Sequence, residues 1–302
     1  MELHHLWLFY KVAQNLSFTK AAEELYISQP TISVQVKKLE QAIGLKLIEN
    51  YGKNIYLTHY GQLVYSYAQK IFSMVEEMES EISLLKGEMS GKLNIGASNT
   101  PGTYIIPRII GVFKEKYPDV KNNLHIGSTY EVQNMLIENH VDFAVIGGSI
   151  DLPKSYIVEK LSDDFMVMIM SPKHPLAEYK NVNTRMLMGQ AFIAHELTSN
   201  LYDAVEYIIT KDLHLPMNIS MTLGSVDAIK HAVYANLGIS ILPLCSVRQD
   251  IDLGLLSTVN VENREWKYAF NLVYHRDKNL TLPIKRMIQI IRETMEEEMK
   301  TS

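Results

Sequence analysis

The sequence predicts an α/β protein with a mainly helical N-terminal unit, and three patterns carry that expectation. Residues 1–60 hold three closely spaced helical periods, residues 58–89 carry one long apolar seam, and residues 92–302 alternate strand and helix patterns. The chain has 302 residues, about twice the length of a typical domain, so two or three domains are expected. With 47% hydrophobic and 21% charged residues it has the balance of a globular protein, which excludes a disordered chain, a collagen-like fibre and a disulfide scaffold. The single cysteine, Cys245, can form neither an internal disulfide nor a multi-cysteine zinc site, which suits a reducing compartment. It follows an apolar run and is expected to be buried. Apolar runs such as residues 165–170 are far shorter than the ~18 residues of a membrane span. No basic segment precedes an apolar stretch at the start, so a cytoplasmic protein without a membrane partner is expected.

Taken in order, the first helix is marked by Leu3, Leu6, Phe9, Tyr10 and Ala13, and the second by Phe18, Ala21, Ala22 and Leu25. Ile32, Val36, Leu39 and Ile43 mark the third. Ser17 and Thr19 both suit the N-cap of the second helix, and Ser28 suits that of the third, with Gln29 and Pro30 in its first turn. The link at residues 26–28 is as short as in a helix-turn-helix, and Gly44 suits the C-terminal stop. Residues 47–49 and 54–57 read as two short strands around a Gly-containing turn, which makes a hairpin wing.

The expected unit is a winged helix-turn-helix. Its third helix presents Gln29, Thr31, Ser33, Val34, Gln35 and Lys37 away from the core stripe. Gln pairs bidentately with adenine, Ser and Thr reach several base edges, and Lys37, Lys38 and Lys53 suit phosphates. Charge agrees with this placement. The net charge is −5, yet residues 1–60 carry six Lys against five Glu, which leaves −6 for the remainder. By themselves these polar residues fit the solvated face of a three-helix bundle equally well.

The ordered residues distinguish the two. Phe18-Thr19-Lys20-Ala21-Ala22-Glu23-Glu24-Leu25, Ile27-Ser28-Gln29-Pro30, Ile32-Ser33, Lys38-Leu39-Glu40 and Gly44-Leu45 resemble the N-terminal signature of LysR-type transcriptional regulators. Leu57-Thr58 followed by Gly61 is similar to that family's wing exit. The resemblance implies a DNA-contacting set of Ser28, Gln29, Pro30, Thr31, Ser33, Gln35, Lys37, Lys38 and Lys53. Val34 stands where the family often has Arg, and Ile48 and Asn50 stand where Phe and Arg are common. No Arg precedes Arg108, so base readout shifts toward Gln29, Thr31, Ser33 and Gln35.

Thr58 suits the N-cap of a long helix. Tyr60, Val64, Tyr67, Ile71, Met74, Met78, Ile82, Leu85 and Met89 form a near-heptad seam with one irregular step. A helix of this length with one apolar seam needs a partner helix, and the resemblance implies a dimerising linker. Ser90-Gly91 ends it.

Beyond it, strands are expected at residues 93–97, 123–126, 142–147, 165–170, 191–194, 219–223, 239–242 and 269–274, in largely parallel sheets. Helices are expected at residues 104–117, 131–139, 200–212, 228–237 and 281–299. Tyr104-Ile105-Ile106-Pro107, Phe113 with Tyr117-Pro118, Val141-Asp142-Phe143-Ala144-Val145, Pro172 with His174-Pro175-Leu176, and Leu237-Gly238-Ile239-Ser240-Ile241-Leu242-Pro243 resemble the effector domain of the same family. The resemblance implies two α/β subdomains of the periplasmic-binding-protein type joined by crossover strands near residues 161–164 and 268–271. Implied boundaries are 1–58 for the DNA-binding domain, 59–90 for the linker helix and 91–302 for the effector domain. Subdomain I would take about 92–162 and 270–302, and subdomain II about 163–269.

Ligands of open α/β sheets sit beyond the carboxyl ends of strands, beside helix N-termini. Ser98 and Thr100, Ser128 and Thr129, His195 with Thr198 and Ser199, and Ser225 occupy such places and form the candidate effector set. Each hydroxyl is also a natural N-cap, and His195 could equally be structural. Neutral hydroxyls suit a small anion or polar metabolite. Residues 195–200 depart from a Gly-Ser-Gly-rich segment with Arg common in related regulators. No catalytic motif, metal-ligand spacing or cofactor fingerprint stands out, so neither a cofactor nor enzyme activity is expected. The expected function is a DNA-binding transcriptional regulator modulated by a small effector. It would be a dimer or tetramer that binds an interrupted inverted repeat in duplex DNA, with RNA polymerase as a further partner. A solute-binding protein without a regulatory role is the alternative.

Overall fold

The computed structural model describes residues 2–51, 54–85, 89–278 and 280–301. The chain divides into two compact units, residues 1–86 and 87–302. In the first, α1 (Leu3–Asn15), α2 (Phe18–Glu24) and α3 (Gln29–Ile43) close on a core that includes Leu6, Phe9, Val12, Ala21, Ile32, Val36 and Leu39. Ser17 caps α2 by accepting the Lys20 N–H at 3.2 Å, and Ser28 caps α3 by accepting the Thr31 N–H at 3.3 Å. Gly44 ends α3 at φ +79°, a left-handed conformation that costs glycine little. Strands β1 (Ile48–Tyr51) and β2 (Asn54–Leu57) form the antiparallel wing. The Glu40 carboxylate accepts the N–H groups of Leu47 at 2.8 Å and Ile48 at 3.2 Å, which ties the wing to α3.

Helix α4 (His59–Leu85) opens on Thr58, whose hydroxyl accepts the Gly61 N–H at 2.9 Å and donates to the Lys46 carbonyl at 2.7 Å. The expected seam divides between two faces. Val64 and Ile71, with Tyr65 and Phe72, pack against the core of the helix-turn-helix, where Trp7 meets Phe72 edge-on at 4.8 Å and Tyr10 stacks on Tyr65 at 5.6 Å. Tyr60, Tyr67, Met74, Met78 and Ile82 stay exposed, joined by Leu63 and Val75. The Leu85 side chain lies outside the described residues, and Met89 lies past the helix.

The second unit runs through β3 (Gly91–Ser98), α5 (Asn99–Tyr104), α6 (Ile106–Lys116), β4 (Val120–Gly127), α7 (Thr129–Ile137), β5 (Phe143–Gly147) and β6 (Tyr156–Met170). It continues with β7 (Asn181–Val182), β8 (Phe192–His195), α8 (Asn200–Tyr207), β9 (Ile219–Leu223), α9 (Val226–Tyr234), β10 (Ser240–Pro243), α10 (Leu244–Asp252), β11 (Ser257–Val261), β12 (Trp266–His275) and α11 (Leu282–Thr301). One lobe is built on β3, which pairs in parallel with β4 and β5. Strands β6 and β12 pair antiparallel from Tyr156–His275 to Met166–Trp266 and carry the sheet into the other lobe. There β10 and β11 join β6, while β8 and β9 pair in parallel beside them.

The sheet is therefore mixed rather than largely parallel, because the chain passes twice between lobes and β12 returns against β6. The helix expected at 104–117 breaks at Ile105 (φ −116°, ψ −59°), and the short α5 precedes the break. The helix expected at 200–212 ends in a π-turn over Ile208–Asp212. The short β7, β11 and α10 were not anticipated: two-residue β7 is below any readable period, and β11 interrupts its apolar pattern with Ser257, Thr258 and Asn260. Among the described residues no helix is long and apolar enough to cross a membrane.

Candidate functional site

Two places gather the candidate residues, one in each unit. On α3, Gln29, Pro30, Thr31, Val34, Lys37 and Lys38 are exposed, whereas Ser33 and Gln35 are half-buried. The Ser28 hydroxyl is engaged in the cap and lies 2.7 Å from the Thr31 hydroxyl. Gln35 Oε1 is buried without a hydrogen-bond partner, so its amide is less open to a base edge than that of Gln29. Lys53 lies outside the described residues. The exposed face is thus polar at its N-terminal end and basic at Lys37 and Lys38, with Val34 between them. Such a face can reach base edges and phosphates together.

In the second unit a small pocket, partly open to solvent, lies between the lobes. Ser98, Asn99 and Thr100 reach it from the β3–α5 junction, and Ser128 and Thr129 from the start of α7. His195 at the end of β8, Ser199 and Leu201 at the start of α8, and Tyr268 on β12 complete it. Six of the candidate effector residues thus meet in one place: Ser98, Thr100, Ser128, Thr129, His195 and Ser199. Thr198 lines a neighbouring, more open space with Tyr130, Gln133, Asp151 and Asp203. Ser225 lines neither; its hydroxyl accepts the Ala228 N–H at 3.2 Å and caps α9. Asn99, Leu201 and Tyr268 were missed. Asn99 lies between two named residues and could have been found, whereas Tyr268 is brought in by β12 from far along the chain.

Ser128 and Ser199 cap their helices, as hydroxyls at such places usually do. Ser98 does not. Its Oγ instead accepts the Gly147 N–H of β5 at 2.9 Å, so α5 has no side-chain cap. The Asn200 amide donates to the carbonyls of Gly147 at 2.9 Å and Ser149 at 2.6 Å, joining α8 to the loop after β5 at the pocket's edge. A second contact between lobes links the Tyr104 hydroxyl to Asp227 at 2.8 Å. Lys230 lies 3.1 Å from Asp227 and 3.2 Å from Asp250, and its ammonium sits 5.1 Å from the centre of the Tyr104 ring.

His195 is 2% exposed. Its Nδ1 accepts the Glu196 N–H at 3.0 Å, and its Nε2 is buried without a partner. Burial holds this imidazole below its ordinary pKa against the opposing pull of the Glu196 carboxylate. The ring is therefore neutral at physiological pH, with its proton on Nε2. Burial likewise pushes the Tyr268 hydroxyl up, so it remains a protonated donor. The pocket presents neutral hydrogen-bond donors, suited to the oxygens of a small anion or polar molecule. Among the described residues no cluster of three His, Cys, Asp or Glu could hold a metal ion. Cys245 is half-buried rather than buried, and its backbone N–H donates to Asp164 at 2.9 Å.

Two family models match the chain. The bacterial regulatory helix-turn-helix protein of the lysR family matches residues 3–62, and the LysR substrate binding domain matches residues 86–296. The chain is 35% identical over 283 residues to the HTH-type transcriptional activator CmpR of Synechocystis sp., covering 93% of this chain and 91% of that protein. It is similar to a full-length OxyR variant from Pseudomonas aeruginosa with a TM-score of 0.75 and 21% identity, covering 98% of this chain and 95% of that one. At that identity the likeness is one of fold. Full-length BenM is similar with a TM-score of 0.61 and 26% identity, covering 99% of this chain and 98% of that one.

Proposed function

The chain belongs to the LysR family of bacterial transcriptional regulators, and on that premise we propose which of its residues read DNA and which read the effector. It is a DNA-binding regulator whose activity a small molecule modulates, and proteins of this family oligomerise. We assign DNA binding to residues 1–58, dimerisation to 59–90 and effector binding to 91–302. The two subdomains meet at the pocket of Ser98, Thr100, Thr129, His195 and Ser199. The observation that carries the effector assignment is the buried, unpartnered Nε2–H of His195 in a pocket lined by neutral hydroxyls. An unsatisfied buried donor is costly, and an oxygen of the guest removes that cost. The effector is a small anion or polar metabolite, and it acts by shifting the balance of conformational or assembly states. We place the protein in the cytoplasm, acting without chemistry of its own. The activator name of its relative CmpR supports RNA polymerase as a further partner.

Thr100→Val tests the assignment. Thr100 is buried, and valine keeps the volume while removing the hydroxyl. A hydrogen bond to a charged group contributes about 1.5–3 kcal/mol, so effector affinity should fall roughly 10- to 100-fold. Operator binding without effector should be unchanged. Calorimetry with a ligand found by a thermal-shift screen of small anions and carboxylates measures this. Unchanged affinity would mean that the guest sits elsewhere.

On DNA, one half-site per recognition helix implies an interrupted inverted repeat. Lys37→Ala should weaken binding to every duplex and lower the salt slope by about one unit. Gln29→Ala should relax preference at one base position by about 1–3 kcal/mol. Binding isotherms across salt and sequence separate the two. Identical behaviour of both variants and the parent would remove α3 from the interface.

A further inference from the structure

The polar side chains around the effector pocket have many of their acceptor positions filled from within the protein. His195 Nδ1 takes the Glu196 N–H, so the neutral ring carries its proton on Nε2 and can only donate there. Ser98 Oγ accepts from Gly147 at 2.9 Å and Ser199 Oγ from Leu201 at 3.2 Å, which leaves both hydroxyl protons to donate. Ser128 accepts the Glu131 N–H at 3.2 Å and lies 2.9 Å from the Glu131 carboxylate, so its proton too is engaged within the capping box. The lining residues include no Lys or Arg, and no Asp or Glu. Thr100, Thr129 and Tyr268 add hydroxyls and Asn99 a carboxamide, each able to donate or to accept. The pocket therefore offers one fixed donor at His195 and adaptable neutral groups, without a cation and without a carboxylate.

On the premise that this pocket is the effector site, we propose that it selects oxyanions that carry no proton over oxyanions of like shape and charge that keep one. Every oxygen of sulfate or of an ionised carboxylate is an acceptor and can meet a donor here. The phosphate dianion keeps one P–OH, which is itself a donor. That proton faces the His195 Nε2–H or a hydroxyl proton, with no carboxylate to receive it. A buried donor without an acceptor weakens binding roughly 10- to 100-fold. If the Thr100, Thr129 or Tyr268 hydroxyl or the Asn99 carboxamide turns to accept the P–OH, the anion loses that group as a donor. The preference then narrows but keeps its sign. The absence of a lining cation makes this discrimination sharper, because no general attraction for negative charge overrides the pattern of donors.

Calorimetry of the full chain with sodium sulfate and sodium phosphate, at mildly alkaline pH and matched ionic strength, compares two dianions that differ by this proton. Sulfate is expected to bind at least 10-fold more tightly. Ser199→Asp supplies a carboxylate at the pocket and keeps a competent N-cap for α8. It should weaken sulfate and erase or reverse the preference, an outcome that loss of packing alone would not give. Equal affinities in the parent, binding of neither anion, or a full sulfate preference retained in Ser199→Asp each overturn the proposal. Equal affinities that both fall in Thr100→Val leave the pocket as the effector site and remove only the selection by proton. Anion binding that ignores both substitutions removes the effector site itself.

Discussion

A chain carrying Met74→Glu and Met78→Glu is expected to sediment as a smaller particle than the parent and to lose roughly 100- to 10,000-fold in operator affinity. Both methionines lie on the exposed face of α4, at 66% and 53% exposure, within the apolar row of Tyr60, Leu63, Tyr67, Val75 and Ile82. An apolar row of this length on one side of a helix is unusual unless another surface covers it. Carboxylates buried in such an interface are strongly unfavourable. Joining two recognition helices makes the second half-site contact intramolecular, so losing the partner removes that gain in full. The fold of each unit should survive, because neither side chain belongs to a buried core. Ile71→Ala is the contrasting variant. Ile71 packs against the helix-turn-helix core of its own chain, so its truncation should lower the melting temperature and leave assembly intact. Analytical ultracentrifugation distinguishes them, and a fully assembled Met74→Glu, Met78→Glu protein would show that the exposed row is not the interface.

The division of that seam marks where sequence reading stops. Spacing along α4 identifies apolar positions, but a helix that packs on its own domain and on another surface carries two stripes that merge in one pattern. Only the position of Trp7 and Tyr10 on α1 shows that Val64, Tyr65, Ile71 and Phe72 form the inner one. Local signals were more legible. Ser17, Ser28, Ser128, Ser199 and Ser225 all cap helices, since a cap needs only a few consecutive residues. Ser98 has the same local setting and does something different, because the partner of its Oγ is Gly147 on the neighbouring strand. Tyr268 and the mixed sheet were hidden for a related reason: β12 reaches the pocket by a long-range pairing with β6 that no short window encodes. Recurrent hydroxyls at strand ends could therefore suggest a pocket, while its tautomer, its donor pattern and the contacts between its lobes required the fold.

Gly61→Ala is expected to unfold the wing from α4 and to abolish operator binding, although the change adds a single methyl group. A Cβ on Gly61 would lie 2.0 Å from the carbonyl oxygen of Leu47 and 2.9 Å from its carbonyl carbon, far inside contact distance. That carbonyl cannot easily retreat. It accepts the Thr58 N–H at 3.0 Å, and the Leu47 N–H is held by Glu40 at 2.8 Å, while the Leu47 side chain is fully buried. Relief must come from moving α4 or the wing, which disturbs the Thr58 cap and the tie from the wing to α3 together. Overpacking of this kind costs about 3 kcal/mol, a large share of the stability of a small domain. The melting temperature of the DNA-binding unit should fall by roughly 10–20 °C. Gly111→Ala on α6 is the control, because a Cβ there meets nothing within 4 Å and alanine favours the helix. It should leave DNA binding unchanged and raise stability slightly. Thermal unfolding and operator titration of the two variants give the comparison. A Gly61→Ala chain that melts and binds like the parent would show that α4 and the wing pack less closely than their geometry implies.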